Sequence, residues 1–269
     1  MAGGVPRSAT TPMAELLVWP VLIAYGEAAV AYAGELRGSG RFGRIGIWGV
    51  RIGWLAQTAL LTVQALSAAG FPWGTWAGAL NFLSWLVVSA YLIWGCKPRY
   101  RLVGLGVMPV AVGLLVLAWA GGGTAVDESD GDGWALAVHA GLMLAAFASF
   151  LVAAATAFLY LYEDRGLSRR DTRLLRLRLP SLEGLETLSA RAALAGLVLL
   201  SGGILVGLAW LDVDGLDAAM TVTIGILAFY GVALLLRREA GLQGRRFAWM
   251  LVAGSVLVAV VLPLTHFAA

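Results

Sequence analysis

The sequence WALAVHAGLMLAAFASFLVAAATAFLYLY occupies residues 134–162 and contains no Asp, Glu, Lys or Arg. A helix of this length rises about 1.5 Å per residue, which is enough to cross a hydrocarbon core of about 30 Å. Near its first end lies His139, one of two histidines in the protein. An ionisable residue inside a membrane span is a functional candidate, because burying it in hydrocarbon is costly. The stretch therefore predicts a transmembrane helix with a candidate site at one end.

The composition points to a membrane protein throughout. The 269 residues are 60% hydrophobic and only 13% charged, which excludes an ordinary soluble domain. The single cysteine, Cys96, excludes an internal disulfide and any C-x-x-C motif. The first twelve residues lack a basic region followed by a short apolar core, so we expect no cleaved signal peptide. We predict an all-α, polytopic bundle of membrane helices.

Eight apolar runs are long enough to span a bilayer, and the charges between them alternate in sign. Arginine and lysine collect in every second connection, whereas the other connections are uncharged or acidic. Because cytoplasmic loops collect basic residues, this predicts eight spans with both termini outside the cytoplasm. We expect the membrane to be a bacterial inner membrane. The runs are 14–33, 46–68, 76–96, 102–121, 134–162, 192–211, 218–236 and 247–266.

Two charged residues lie inside the first two predicted spans. Glu27 and Arg51 are each about six residues from the cytoplasmic end of their run, or about 9 Å deep. Since a buried pair is less costly than a lone buried charge, we expect a structural ion pair. A proton or substrate path is the alternative. Gln57, Gln64 and Asn81 are polar residues in the neighbouring spans and are candidates for an interhelical network.

The second histidine, His266, is predicted to reach the same side of the membrane as His139. His139 lies about 8 Å below the outer end of the fifth span, and the last span reaches His266 about 30 Å from its cytoplasmic start. Two imidazoles from separate helices can hold haem iron. Each histidine could also be a hydrogen-bonding or solvated residue, and a zinc site would need further ligands.

The sixth span and the loop before it carry two further patterns. Gly203 and Gly207 have the spacing that allows close approach of a neighbouring helix, with room for a flat macrocycle as the alternative. The segment 163–191 mixes arginines with leucines, so it is predicted to lie along the cytoplasmic interface and bind anionic lipid. Partner docking is the alternative for this loop.

The second half of the chain resembles a known family. The runs HAGLMLAAFASFLVAAATAFLYLYEDRGL, LPSLEGLETLSARAALAGLVLLSGGILVG and FYGVALLLRREAGLQGRRFAWMLVAG, with a terminal Thr-His, are similar to the CcsA/ResC/CcmC-type cytochrome c assembly family, in particular to its HemX/YpjD-like branch. The resemblance covers residues 134–269 and implies two regions. These are a four-helix N-terminal half, 1–121, and a four-helix C-terminal half, 134–269, resembling the assembly domain.

The resemblance also implies a ligand and a role. It assigns haem b, held non-covalently near the outer face, with His139 and His266 as ligands of the haem iron. The chain departs from the cytochrome c synthases in two places: the connection LAWLDVDGLDAAM has no tryptophan-rich WWD motif, and Leu235 lies where those proteins place another histidine. We therefore expect haem handling or cytochrome c maturation rather than an enzyme that catalyses bond chemistry.

The partners expected from the resemblance are haem, cytochrome c assembly proteins, and a haem-biosynthesis enzyme at the cytoplasmic loop, with no nucleic acid. Two other functions remain open at this point. One is a HemX-like regulator or scaffold without bound haem, acting through residues 163–191. The other is a small-solute transporter using Glu27 and Arg51, which would be favoured by inverted repeats that we do not see.

Overall fold

The computed structural model describes residues 12–35, 40–67, 73–95, 100–124, 134–169, 180–210 and 218–267, with the side chains of 12–15, 40, 67, 95, 210, 218 and 260–267 excepted. Within these ranges the protein is a bundle of eight α-helices, and a short 3-10 turn, Arg101–Val103, leads into the fourth. The helices are α1 (Pro12–Glu35), α2 (Gly40–Ser67), α3 (Trp76–Gly95), α4 (Gly104–Ala120), α5 (Trp134–Ser168), α6 (Leu182–Trp210), α7 (Ala218–Glu239) and α8 (Arg245–Phe267).

Each predicted span corresponds to one of these helices. Over the described residues, six helices are long and apolar enough to cross a membrane, so the chain is a multi-pass helical membrane protein. Two helices, α2 and α8, are not in that set. Helix α2 contains Arg41, Arg44 and Arg51, which lower its apolar character. The count of eight spans and the orientation of the termini stay predictions. The six spans are Leu16–Glu35, Trp76–Trp94, Arg101–Ala120, Trp134–Ser168, Leu182–Ala209 and Ala219–Glu239.

Both ends of the interfacial loop predicted at 163–191 are helical in the residues that the structure describes. Helix α5 continues to Ser168, and α6 begins at Leu182, ten residues before the predicted start. The early start has a local cause: Ser181 caps the helix, because the Gly184 N–H donates to the Ser181 hydroxyl at 3.2 Å. Residues 170–179, where an interfacial segment would have to lie, are outside the described part of the chain.

Two pairs of helices approach closely through glycine. A Cβ on Gly49 of α2 would lie 3.0 Å from the backbone oxygen of Ala24 on α1. A Cβ on Gly196 of α6 would lie 2.6 Å from the ring of Phe150 on α5. Buried side chains from α1 through α8 form one connected apolar cluster. The division into residues 1–121 and 134–269 stays a prediction, since this cluster contains residues from both.

The expected polar network between α2 and α3 is present and fully buried. The Gln57 amide donates to the Asn81 side-chain oxygen at 3.1 Å, and the Asn81 amide donates to the Gln64 side-chain oxygen at 3.0 Å. Tyr25 of α1 donates its hydroxyl proton to Gln57 at 2.8 Å. The Gln64 amide reaches the Gly123 carbonyl at 3.1 Å. Since these groups satisfy one another, the network fixes how α1, α2 and α3 pack.

Candidate functional site

The imidazole of His139 is held by the backbone of the neighbouring helix. Its Nδ1 lies 2.8 Å from the carbonyl oxygen of Gly203 on α6. A carbonyl oxygen can only accept a hydrogen bond, so Nδ1 carries the proton and donates it. In the neutral ring, Nε2 then keeps its lone pair. This is the tautomer that a metal-ligating histidine has when its other nitrogen is anchored to a carbonyl.

Two glycines of α6 lie against α5, and Gly207 is the one beside this ring. A Cβ on Gly207 would lie 3.0 Å from both Nδ1 and Cε1 of His139, and a Cβ on Gly203 would lie 2.9 Å from the sulfur of Met143. The close packing predicted from the spacing of these glycines is therefore present. That His139 fills the space was not predicted, although the sequence places the three residues at similar depths on consecutive spans.

Helix α8 packs antiparallel against α5 at two fixed points. The hydroxyl of Ser255 donates to the carbonyl oxygen of Phe150 at 3.1 Å. Nearer the loop between α7 and α8, the hydroxyl of Tyr160 lies 3.1 Å from the place a Cβ on Gly244 would take. Moving ten residues back along α5, from Tyr160 to Phe150, thus corresponds to moving eleven forward from Gly244, just before α8, to Ser255. The pairing sets a register between the two helices.

This register bears on the second histidine. His139 lies eleven residues before Phe150, and His266 lies eleven residues after Ser255 in the last turn of α8. Each interval is about 16 Å of helix, and both run toward the same end of the bundle. The helix backbones thus carry the two positions to similar heights. The side chain of His266 is outside the described part of the structure.

The part of α5 that carries His139 is incompletely covered. Residues 134–145 are all half-buried or exposed, whereas 146–150 are all buried. Trp134 at the start of the helix is 64% exposed. The first three turns of α5 therefore present a largely apolar, partly open surface beside the imidazole. Such a surface fits a flat apolar macrocycle, and Nε2, which has no hydrogen-bond partner among the described residues, fits its iron.

The structure does not bring Glu27 and Arg51 together. Both side chains are exposed, and no ion pair joins them among the described residues. The guanidinium of Arg51 instead lies 5.3 Å from the ring centre of Trp48, one turn earlier on the same helix. Glu27 lines a groove with Arg44. The expected Glu27–Arg51 ion pair is therefore absent from the described part of the chain.

Two ion pairs outside this region were not predicted. Glu35 at the end of α1 binds Arg101 in the 3-10 turn before α4. Glu186 of α6 accepts hydrogen bonds from the Gly244 N–H at 3.1 Å and from Arg237 at 3.4 Å. Both join helix ends that are distant in sequence, so the charges alone gave no signal of the pairing.

Comparison with known proteins identifies a family that this chain matches. A family model described as "Cytochrome C assembly protein" matches residues 73–267, which include α3 to α8 and both histidines. This match begins earlier than the resemblance seen in residues 134–269, since it includes α3 and α4.

Individual relatives match a shorter part. The cytochrome c biogenesis protein CcsA of Microcystis aeruginosa (strain NIES-843 / IAM M-2473) is 31% identical over 128 residues, which cover 45% of this chain and 39% of the relative. The CcsA of Gloeothece citriformis (strain PCC 7424) is 30% identical over the same coverage. That of Trichormus variabilis (strain ATCC 29413 / PCC 7937) is 28% identical, covering 45% of this chain and 36% of the relative. The chain thus spans about two-fifths of the length of these curated relatives.

Proposed function

The chain belongs to the cytochrome c assembly protein family, and from this membership we propose that it binds haem b non-covalently in the membrane as part of cytochrome c biogenesis. The iron ligands in this proposal are His139 and His266, near the end of the bundle predicted to face outward. In this proposal the chain holds or transfers haem and does not catalyse the making or breaking of covalent bonds.

The observation that carries the proposal is the combination of tautomer and register. His139 is held with Nε2 available, because its Nδ1 proton is donated to the Gly203 carbonyl. The Phe150–Ser255 contact supports a common height for both histidine positions. The matched family and the names of the relatives support haem as the ligand over other metal groups.

Bound haem would supply an iron, which the imidazoles of His139 and His266 would hold. The residues of the chain have separate tasks. Gly203 anchors the ring of His139 through Nδ1, so Nε2 is the nitrogen that would ligate the iron. The partly open face of residues 134–145 would pack against the haem and exclude water from it.

The test is the absorption spectrum of the purified full-length chain, with haem measured against protein after extraction. We expect a Soret band in the wild-type protein. His139→Ala and His266→Ala should each lower the haem content by about tenfold or more, since each removes an axial bond. Val138→Ala and Thr265→Ala are matched controls beside each histidine and should retain the band.

Two results would overturn the proposal. One is a wild-type protein without a Soret band both as purified and after added haem. The other is full haem content in both histidine variants, which would place the iron ligands elsewhere.

A further inference from the structure

Glu27 and Arg51 are opposite charges on the outer surface of α1 and α2, and neither forms an ion pair among the described residues. Both side chains are exposed. Glu27 lies eight residues before the end of α1, which is apolar enough to span a membrane, and so about 12 Å below that end. A charge that faces hydrocarbon at such a depth is costly unless an opposite charge meets it.

The guanidinium of Arg51 lies at a depth close to that of the Glu27 carboxylate. A Cβ on Gly49 of α2 would lie 3.3 Å from the Cβ of Ala28, the residue after Glu27. Trp48, which precedes Gly49, lines the same groove as Glu27. Since the Arg51 guanidinium lies 5.3 Å from the ring centre of Trp48, it is within about one helical turn of Glu27 in height.

The two charges are nevertheless on opposite sides of α2. Gly49 and Gly53 face α1, because Cβ atoms there would lie 3.0 Å from the backbone oxygen and 3.2 Å from the Cβ of Ala24. Successive residues of a helix turn by about 100°, so Arg51 is about 160° from each of these glycines. Arg51 therefore lies on the side of α2 that is turned away from α1, and the helix itself separates it from Glu27.

The exposed side of α2 between α1 and Arg51 is an apolar stripe. It consists of Ile45, Trp48, Ile52 and Leu55, which follow one another at intervals of three and four residues. These side chains are between 44% and 60% exposed. Intervals that alternate between three and four residues are typical of the seam along which two helices pack side by side.

We propose that two copies of the chain associate through this stripe about a two-fold axis normal to the membrane. In such an interface the same surface is used by both copies, and rotation about the axis leaves the depth of every residue unchanged. Opposite charges can therefore meet across it only if they lie at one depth, on opposite flanks of the shared surface.

Glu27 and Arg51 have that arrangement. Glu27 of each copy meets Arg51 of the partner subunit, so one interface forms two ion pairs and covers both apolar stripes. The pairing meets the cost of two charges that would otherwise face lipid. The interface lies on α1 and α2 and is independent of the haem proposal.

The test is resonance energy transfer between full-length chains that carry a donor or an acceptor fluorophore at the C-terminus. The chains are reconstituted into phosphatidylcholine vesicles at decreasing ratios of protein to lipid. The wild type should dimerise. Glu27→Arg and Arg51→Glu should each weaken this self-association about tenfold, because each variant alone places two like-charged pairs in the interface.

A mixture of the two variants identifies pairing between chains. In a dimer of Glu27→Arg with Arg51→Glu, both pairs across the interface again have opposite charges, whereas positions 27 and 51 within either chain have the same charge. The mixture should therefore associate to within about twofold of the wild type. Glu239→Arg reverses an exposed charge at the end of α7 and should leave self-association unchanged.

Cross-linking tests the same surface without changing a charge. In a Cys96→Ser background, Leu55→Cys should form a disulfide-linked dimer when the vesicles are oxidised with copper phenanthroline. Leu235→Cys on α7 is the matched control, because both leucines are 60% exposed, and it should stay monomeric.

Three results would overturn the proposal. The first is a wild type that stays monomeric in the vesicles, which would leave this surface to lipid or to a different protein. The second is a mixture of Glu27→Arg and Arg51→Glu that associates no better than either variant alone. The third is equal cross-linking of Leu55→Cys and Leu235→Cys. Circular dichroism of each variant checks that it is folded.

Discussion

At the scale of single residues, one hydrogen-bond acceptor decides which nitrogen of His139 carries the proton in the neutral ring. The Gly203 carbonyl fixes the protonated nitrogen, and the absence of a side chain at Gly207 fixes where the ring can lie. A residue that never touches the ligand should therefore control how well the ligand is held.

The Gly207→Ala substitution tests this role of Gly207 by adding one carbon atom beside the imidazole. The new Cβ would lie 3.0 Å from the imidazole, so the ring must tilt away from its bond to Gly203. We expect about tenfold weaker haem retention, which corresponds to about 1.4 kcal/mol, within the usual penalty of overpacking. Haem titration of the purified protein measures it. Gly202→Ala is the matched control, because its Cβ makes only an ordinary contact of 3.8 Å with Leu142. Equal retention by both variants would show that Gly207 does not position the ring.

The charged residues of α1 and α2 show why the depth of a side chain in the membrane is easier to predict than the direction in which it points. Glu27 and Arg51 were expected to pair because they lie at similar depths. Successive residues of a helix turn by about 100°, so a common depth leaves the direction of each side chain open. The guanidinium of Arg51 lies over the ring of Trp48, and Arg44, two turns earlier, lines the groove that contains Glu27. Gln57, Gln64 and Asn81 were predicted correctly as a network, because buried amides must find partners.

At the scale of helices, the start of α6 is held to the loop between α7 and α8. Glu186 lies in the LPSLEGLE element that carried the family resemblance. Its carboxylate accepts from the Gly244 N–H and from Arg237, whose guanidinium also lies 5.4 Å from the ring centre of Phe247. Gly244 has a φ of +68, a left-handed conformation that favours glycine. The element therefore has a structural role that fixes the ends of three helices.

Glu186→Ala should loosen this junction. It removes the acceptor of a backbone N–H and the partner of a half-buried guanidinium, which is expected to destabilise the fold by about 1–3 kcal/mol. Thermal unfolding in detergent should show a lower midpoint, and trypsin should cleave faster after Arg245 or Arg246. Glu183→Ala is the matched control on the same helix, since that carboxylate is exposed. If trypsin cleaves Glu186→Ala and Glu183→Ala at the same rate, this role of Glu186 is contradicted.

The helix boundaries show how well the sequence predicts where each helix begins and ends. Most helix ends lie within a few residues of the apolar runs, because hydrocarbon requires continuous helix across its thickness. Three ends extend further: α2 begins six residues before its run, α5 ends six residues after its run, and α6 begins ten residues before its run. Outside the membrane that requirement ends, and a local cap at Ser181 and the binding of Glu186 extend α6 through polar sequence.

At the scale of the whole molecule, the alternation of basic and acidic connections predicts the orientation. The ends that carry Arg101 and Arg237 should face the cytoplasm, and the end that carries His139 should face outward. The register between α5 and α8 places both histidine positions at that second end.

Cysteine labelling can check the orientation, because the chain has only Cys96 to remove. In a Cys96→Ser background, Gly74→Cys lies before α3 on the side predicted to be outside, and Gln243→Cys lies between α7 and α8 on the cytoplasmic side. Both positions are exposed. A membrane-impermeant maleimide should label Gly74→Cys in intact spheroplasts and Gln243→Cys only after lysis. The reverse order of labelling would invert the topology and move the histidines to the cytoplasmic side.

The central claim is that His139 and His266 hold one iron from two helices. Electron paramagnetic resonance of the ferric protein tests it most directly, because two axial imidazoles give low-spin iron. We predict a low-spin spectrum for the wild type, a high-spin spectrum for haem-loaded His139→Ala and His266→Ala, and a return to low spin on adding imidazole to either variant. A wild-type spectrum that is high-spin, or low-spin spectra in both variants without imidazole, would contradict the account.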